Sequence, residues 1–153
     1  MNLKIKRIIF SILVIINCIV IFNFSAQNAE KSSATSGVIV DKVVNTISSV
    51  NKKVKKSDLK SQITFIVRKC AHFSIYTLLG IWLMNISNTF EIPIWKKLLI
   101  CVTFGLLYAV SDEFHQHFVG GRSPEVRDVC IDTCGVLFGS FLVIIFEKIM
   151  QSS

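Results

Sequence analysis

Ile8–Phe24 runs for 17 residues without a charge, and three further apolar blocks follow at Ile63–Ile86, Leu98–Ser111 and Val129–Phe146. Nothing else in the sequence restricts the fold so strongly. A hydrocarbon core about 30 Å thick is crossed by a helix of roughly 20 apolar residues. The expected fold is therefore all-α: a polytopic membrane protein, a bundle of four transmembrane helices with an amphipathic surface helix. The spans are expected at about 8–24, 65–86, 97–114 and 128–147, in one domain covering 1–153. The third block has only 14 residues, so the polar sequence beyond it must carry the helix into the head groups. The first block has a rival reading as a signal peptide, because Lys4, Lys6 and Arg7 precede it and Ser25–Ala29 looks like a cleavage site. Its apolar run exceeds the roughly 7–15 residues of a signal core, which favours an uncleaved helix.

The formal charge of +7 is unevenly placed, with seven of the 17 cationic residues between Lys31 and Lys60. In that polar stretch Val40, Val43, Val44, Ile47, Val50 and Val54 recur at helical spacing, with Lys52, Lys53, Lys55 and Lys56 at the end. This predicts an amphipathic helix over about 37–56, on the membrane surface or capping the bundle. A solvated linker helix is the bland alternative. The expected partners are the lipid bilayer and anionic lipid or polymer, not nucleic acid, for which no motif is present.

Four spans put both termini on one side. With the termini inside, six cationic residues lie inside and eleven outside, which opposes the positive-inside rule. The positive flank of the first helix and the acidic neighbours of the outer cations (Asp112, Glu113, Glu125, Asp128) argue the other way. The adopted expectation is a multi-pass protein of the cell membrane with cytoplasmic termini and the polar cluster on the outer face. The five cysteines (Cys18, Cys70, Cys101, Cys130, Cys134) lie in or at the rim of apolar blocks without a C-x-x-C pair, and read as packing residues.

Polarity concentrates between Tyr108 and Asp132. Wound as a helix, Tyr108, Asp112 and His115 fall at i, i+4 and i+7 on one stripe, with Gln116 at its edge. Glu113 and His117 point elsewhere, although Glu113 stays among the candidate binding groups. Gly120-Gly121 stops this helix, Ser123 can cap the next, and Pro124 suits its first position. Asp128, Asp132, Gly135 and Gly139 then share a face at i, i+4, i+7 and i+11. Glycine there lets a neighbouring helix approach closely. Lys69, His72, Tyr76 and Gly80 make a third stripe at i, i+3, i+7 and i+11.

These residues resemble the VanZ-like membrane proteins of bacteria. The resemblance rests on I-F-N-F-S-A-Q (Ile21–Gln27) and the serines after it. It rests also on R-K-C-A-H-F-S-I-Y-T-L-L-G (Arg68–Gly80), and on Y-A-V-S-D-E-F-H-Q-H-F-V-G-G-R (Tyr108–Arg122) with Asp128, Asp132, Gly135 and Gly139. It covers nearly the whole chain from the first helix onward. Relatives often carry proline in the turn where this chain has Val119-Gly120-Gly121. The resemblance implies an integral protein of the cell envelope. The family name comes from a member linked to low-level teicoplanin resistance, a phenotype that supplies no agreed reaction.

Three chemistries fit the residues. In the first, Arg68, Lys69 and Arg122 bind the phosphate of a lipid-linked cell-wall precursor, with Ser25, Gln27, His72, Tyr76, Tyr108, Glu113 and Gln116 as further binding groups. His115, oriented by Asp112, Asp128 or Asp132, would be the general acid or base. In the second, Asp112 and His115 with Asp128 and Asp132 hold a divalent ion, although no cofactor is the primary expectation. In the third, acids and bases on facing stripes pair and lock a non-catalytic bundle. A small lipid or solute transporter is a further alternative.

Overall fold

The computed structural model describes residues 2–26, 37, 40–46, 56–118 and 125–152. Among these, four long helices are α1 (Leu3–Ser25), α2 (Lys56–Ser87), α3 (Ile94–His117) and α4 (Val126–Ser152). Each is long and apolar enough to cross a membrane. The fold is thus the expected all-helical bundle. Its outer surface is apolar: Ile8, Ile12, Ile15 and Ile19 of α1 face outward, as do Leu99 and Leu107 of α3 and Ile145 and Phe146 of α4. Outward-facing side chains of this kind suit lipid as the surrounding solvent.

Asn2 opens α1, its side chain accepting the Lys4 N–H at 2.9 Å. Pro93, in extended conformation, precedes α3, where the missing donor does no harm. One helix start differs from expectation. α2 begins at Lys56, well before the apolar block, because its first turns pack against another segment instead of lipid. Residues 40–46 are helical, and Val40 and Val44 bury against Leu59, Ile63 and Val67. Lys60 pairs with Asp41 at 2.7 Å beside them. The rest of the expected amphipathic helix lies outside the described residues. Among the described residues α4 begins at Val126, and the Glu125 N–H is taken by the Glu113 carboxylate at 2.9 Å; Pro124 lies outside them. The expected Gly120-Gly121 turn and Ser123 cap lie outside the described residues.

The core is a seam of small residues. α2 buries Tyr76, Leu79, Gly80, Leu83, Met84 and Ser87, and α4 buries Asp132, Gly135, Val136, Gly139, Ser140 and Val143. Both sets follow the 3, 1, 3, 1, 3 spacing of one helix face. A Cβ on Gly80 would run into the Val136 carbonyl, and one on Gly139 into the Thr77 carbonyl. One on Gly135 would lie 2.7 Å from the Phe73 oxygen. Backbone therefore meets backbone, the geometry that G-x-x-x-G spacing permits between helices in lipid. On α3, Cys101, Gly105 and Ala109 leave equal room, and the Val136 side chain fills the space over Gly105.

One end of the bundle is closed by polar contacts. Arg7 of α1 donates to the Thr89 hydroxyl (2.8 Å) and carbonyl (2.7 Å) and stacks over Phe90 at 4.2 Å. Asn88 donates to Glu147 of α4 at 2.7 Å and accepts from Lys97 of α3 at 3.2 Å. The candidate residues lie at the opposite end.

Candidate functional site

Helical spacing alone places His72 one turn inside Lys69, and Asp132 one turn inside Asp128. The α2–α4 seam brings the two turns together as two layers. In the outer layer the Lys69 ammonium pairs with Asp128 and lies 4.0 Å from Glu125. Both Lys69 and Arg127 sit over the Phe65 ring, at 4.9 and 4.8 Å. Arg127 also donates to Glu125 at 2.6 Å. That ion pair holds the Glu125 carboxyl below the usual carboxylate range.

The inner layer is built from three helices. His72 of α2, Asp112 of α3 and Asp132 of α4 bring donor atoms within 4.8 Å of one another. Asp132 is fully buried, and Asp112 is almost so. His72 Nδ1 lies 3.5 Å from Asp132 Oδ2, an ion-pair distance that is long for a hydrogen bond. Gln116, one turn along α3, donates to Asp112 Oδ2 at 3.0 Å and so orients it. Beneath them Tyr76 is fully buried, and its hydroxyl has no hydrogen-bond partner among the described residues. Its ring stands 6.4 Å from that of Tyr108, whose hydroxyl donates to the Cys18 carbonyl of α1 at 2.7 Å.

The sequence-derived set is thus divided by the fold. Tyr76, Tyr108 and Gln116 join His72, Asp112 and Asp132. Asp128 stays outside, spent on Lys69. His115 does not join the trio. Its ring packs on Phe22 of α1, with centroids 4.5 Å apart, because three residues past Asp112 the helix has turned toward α1. The imidazole beside the carboxylates is therefore His72. Glu113, expected off the Asp112 stripe, is buried and serves the start of α4. There its negative charge also suits the positive end of the helix dipole. Ser25 is buried at the end of α1. Arg68 is half-buried on α2. Gln27 and Arg122 lie outside the described residues.

Two residues were missed by sequence reasoning. Asn17 is buried in α1, its amide 3.4 Å from the Ile75 carbonyl. The signal was available: an amide in a charge-free run, sharing a stripe with Ile21 and Ser25 at i, i+4 and i+8. Arg127 joins the cationic rim through Phe65, which no sequence spacing announces.

The sequence profile of the family described as VanZ/LLP1 matches residues 10–147. The chain belongs to this family. The VanZ/LLP1 match spans all four long helices and therefore both layers of the site. No curated protein and no solved structure matches the chain. Chemically, the VanZ/LLP1 bundle presents a rim of Arg68, Lys69 and Arg127, the last two paired with Asp128 and Glu125, above a buried acid–base trio.

Proposed function

We propose that this VanZ/LLP1 protein binds the anionic head group of a lipid-linked cell-wall precursor in the bacterial envelope and acts on it by proton transfer. The observation that carries the reading is the meeting of His72, Asp112 and Asp132 from three helices inside an apolar bundle. Ionisable side chains at such depth are costly and mark functional sites by default. Arg68 and Arg127 offer guanidinium forks to phosphate at the rim, and the lipid tail would lie along the apolar outer faces. A phosphate so held places its ester or attacking group toward His72. The imidazole then serves as proton acceptor or donor, held by Asp132 and Asp112. The termini are cytoplasmic in this reading, and the trio opens toward the outer face, where such precursors are consumed.

The test is teicoplanin susceptibility in cells expressing wild type, His72→Ala or Asp112→Asn at matched membrane levels, with lipid-linked precursors weighed by mass spectrometry. Wild type alone is expected to shift susceptibility and to change a precursor mass. Unchanged precursors, or protection that persists in both variants, reject the reading. A second reading has its own observation: Lys69–Asp128 and His72–Asp132 both cross from α2 to α4 and could serve only to lock the bundle. In that case both variants lose folded protein as well as phenotype.

A further inference from the structure

The buried trio concentrates acid and base from three helices. With a neutral imidazole, His72, Asp112 and Asp132 bring two negative charges and one nitrogen donor to a single point. Lys69, the nearest cation on α2, is already taken by Asp128 and Glu125. Asp132 is fully buried; among the described residues no donor reaches its Oδ1, while its Oδ2 faces His72 Nδ1 at 3.5 Å. Tyr76 is an independent second sign. Its hydroxyl is buried and unpartnered among the described residues, and it lies within electrostatic reach of both carboxylates. A buried acceptor left open and an unpartnered phenol in the field of both carboxylates are what a bound ion would satisfy.

We infer that His72, Asp112 and Asp132 form a site for one divalent transition-metal ion, of the manganese or zinc class, with Tyr76 closing it from below. The geometry is close to that of a ligand set. Three donor atoms within 4.8 Å of one another leave a point within about 2.8 Å of each, and small side-chain rotations reach the ~2.0–2.2 Å of a bound ion. The donor chemistry selects the ion. One imidazole with two carboxylates suits manganese or zinc, whereas calcium takes six to eight oxygens and magnesium keeps most of its waters. Two carboxylates neutralise the double charge, so the loaded site brings no net charge into the bundle. Gln116 orients Asp112 from outside the ligand set, as outer partners do at metal sites. His115 and Asp128 belong to other contacts and make controls.

The inference uses the same trio as the head-group reading and rests on it only for the location. The experiment loads the purified full-length chain, in detergent, with Mn²⁺ and counts bound metal by mass spectrometry. Wild type should retain about one ion per chain after desalting. Asp132→Asn and Asp112→Asn should each weaken retention at least tenfold, while His115→Ala and Asp128→Asn retain it. Excess Zn²⁺ should displace Mn²⁺ from wild type. Pulsed electron paramagnetic resonance of the Mn²⁺-loaded wild type should show nitrogen coupling from one histidine, lost in His72→Gln. No retained ion in wild type, or retention undiminished in both Asp variants, overturns the inference. So does a spectrum without nitrogen coupling, and this readout uses wild type and does not depend on any variant folding. Absent metal with intact precursor changes would reject the ion and keep the head-group reading. Bound metal with unchanged precursors would do the reverse.

Discussion

Tyr108 and Tyr76 stand ring to ring at 6.4 Å, yet among the described residues only Tyr108 has a partner for its hydroxyl, the Cys18 carbonyl of α1. The pair gives a contrast within one kind of side chain. Tyr108→Phe removes a bond between helices and should lower stability by ~0.6–1 kcal/mol, the usual worth of such bonds in membrane bundles. Tyr76→Phe removes a buried hydroxyl that bonds to no described residue, so it should leave stability unchanged or raise it slightly. Thermal unfolding of both variants in detergent separates the two. A larger loss for Tyr76→Phe would show that its hydroxyl is already bonded.

Asp132→Asn keeps shape and removes a fully buried charge. If the trio is retained for function, this variant should be as stable as wild type or up to ~1 kcal/mol more so, because burying a charge is costly. Function should be lost all the same. Unfolding and precursor analysis on the same membranes give both readings. A collapse of stability would favour the bundle-lock alternative.

Gly139→Leu forces a side chain into the Thr77 carbonyl, and Gly80→Ala forces a methyl into that of Val136. Neither neighbour is a flexible chain end, so backbone must shift. Each should cost at least the ~1–3 kcal/mol of an overpacked core, Gly139→Leu the more. Maleimide labelling checks this through Cys101, buried in the native bundle, which should become reactive.

Arg7 holds Thr89 by two nitrogens and covers Phe90 with its plane. Arg7→Ala should destabilise the protein by roughly 1.5–3 kcal/mol, the range for hydrogen bonds to a charged group. Lysine should restore only part of this, having no planar fork. Unfolding midpoints of wild type, Arg7→Lys and Arg7→Ala should fall in that order.

Much of the fold was legible because lipid imposes long uninterrupted apolar runs. The glycine stripe at Gly135 and Gly139 also showed where a helix would come close. The site was legible by stripe and not by partner. Each helix declared its own polar face, but which imidazole meets which carboxylate depends on how three faces rotate together. His72 and His115 are equally plausible on spacing, and only the packing of His115 against Phe22 of α1 separates them. The partner of Glu113 was hidden for a similar reason: it is the Glu125 N–H at the start of another helix. A backbone donor has no signature in sequence. The length of α2 was underestimated because its first turns are polar on one side and covered by residues 40–46 on the other.

The glycine seam also decides where this protein can give way. At Gly80, Gly135 and Gly139 the backbone of one helix meets the backbone of the other, so this contact behaves as a fixed plate. Asp132 and His72 ride on that plate. α1 is held differently, by long side chains such as Arg7 and Phe22 and by the hydroxyl bond of Tyr108, all of which can swing. The contacts of α1 can therefore loosen while the α2–α4 seam, with the two residues it carries, stays whole.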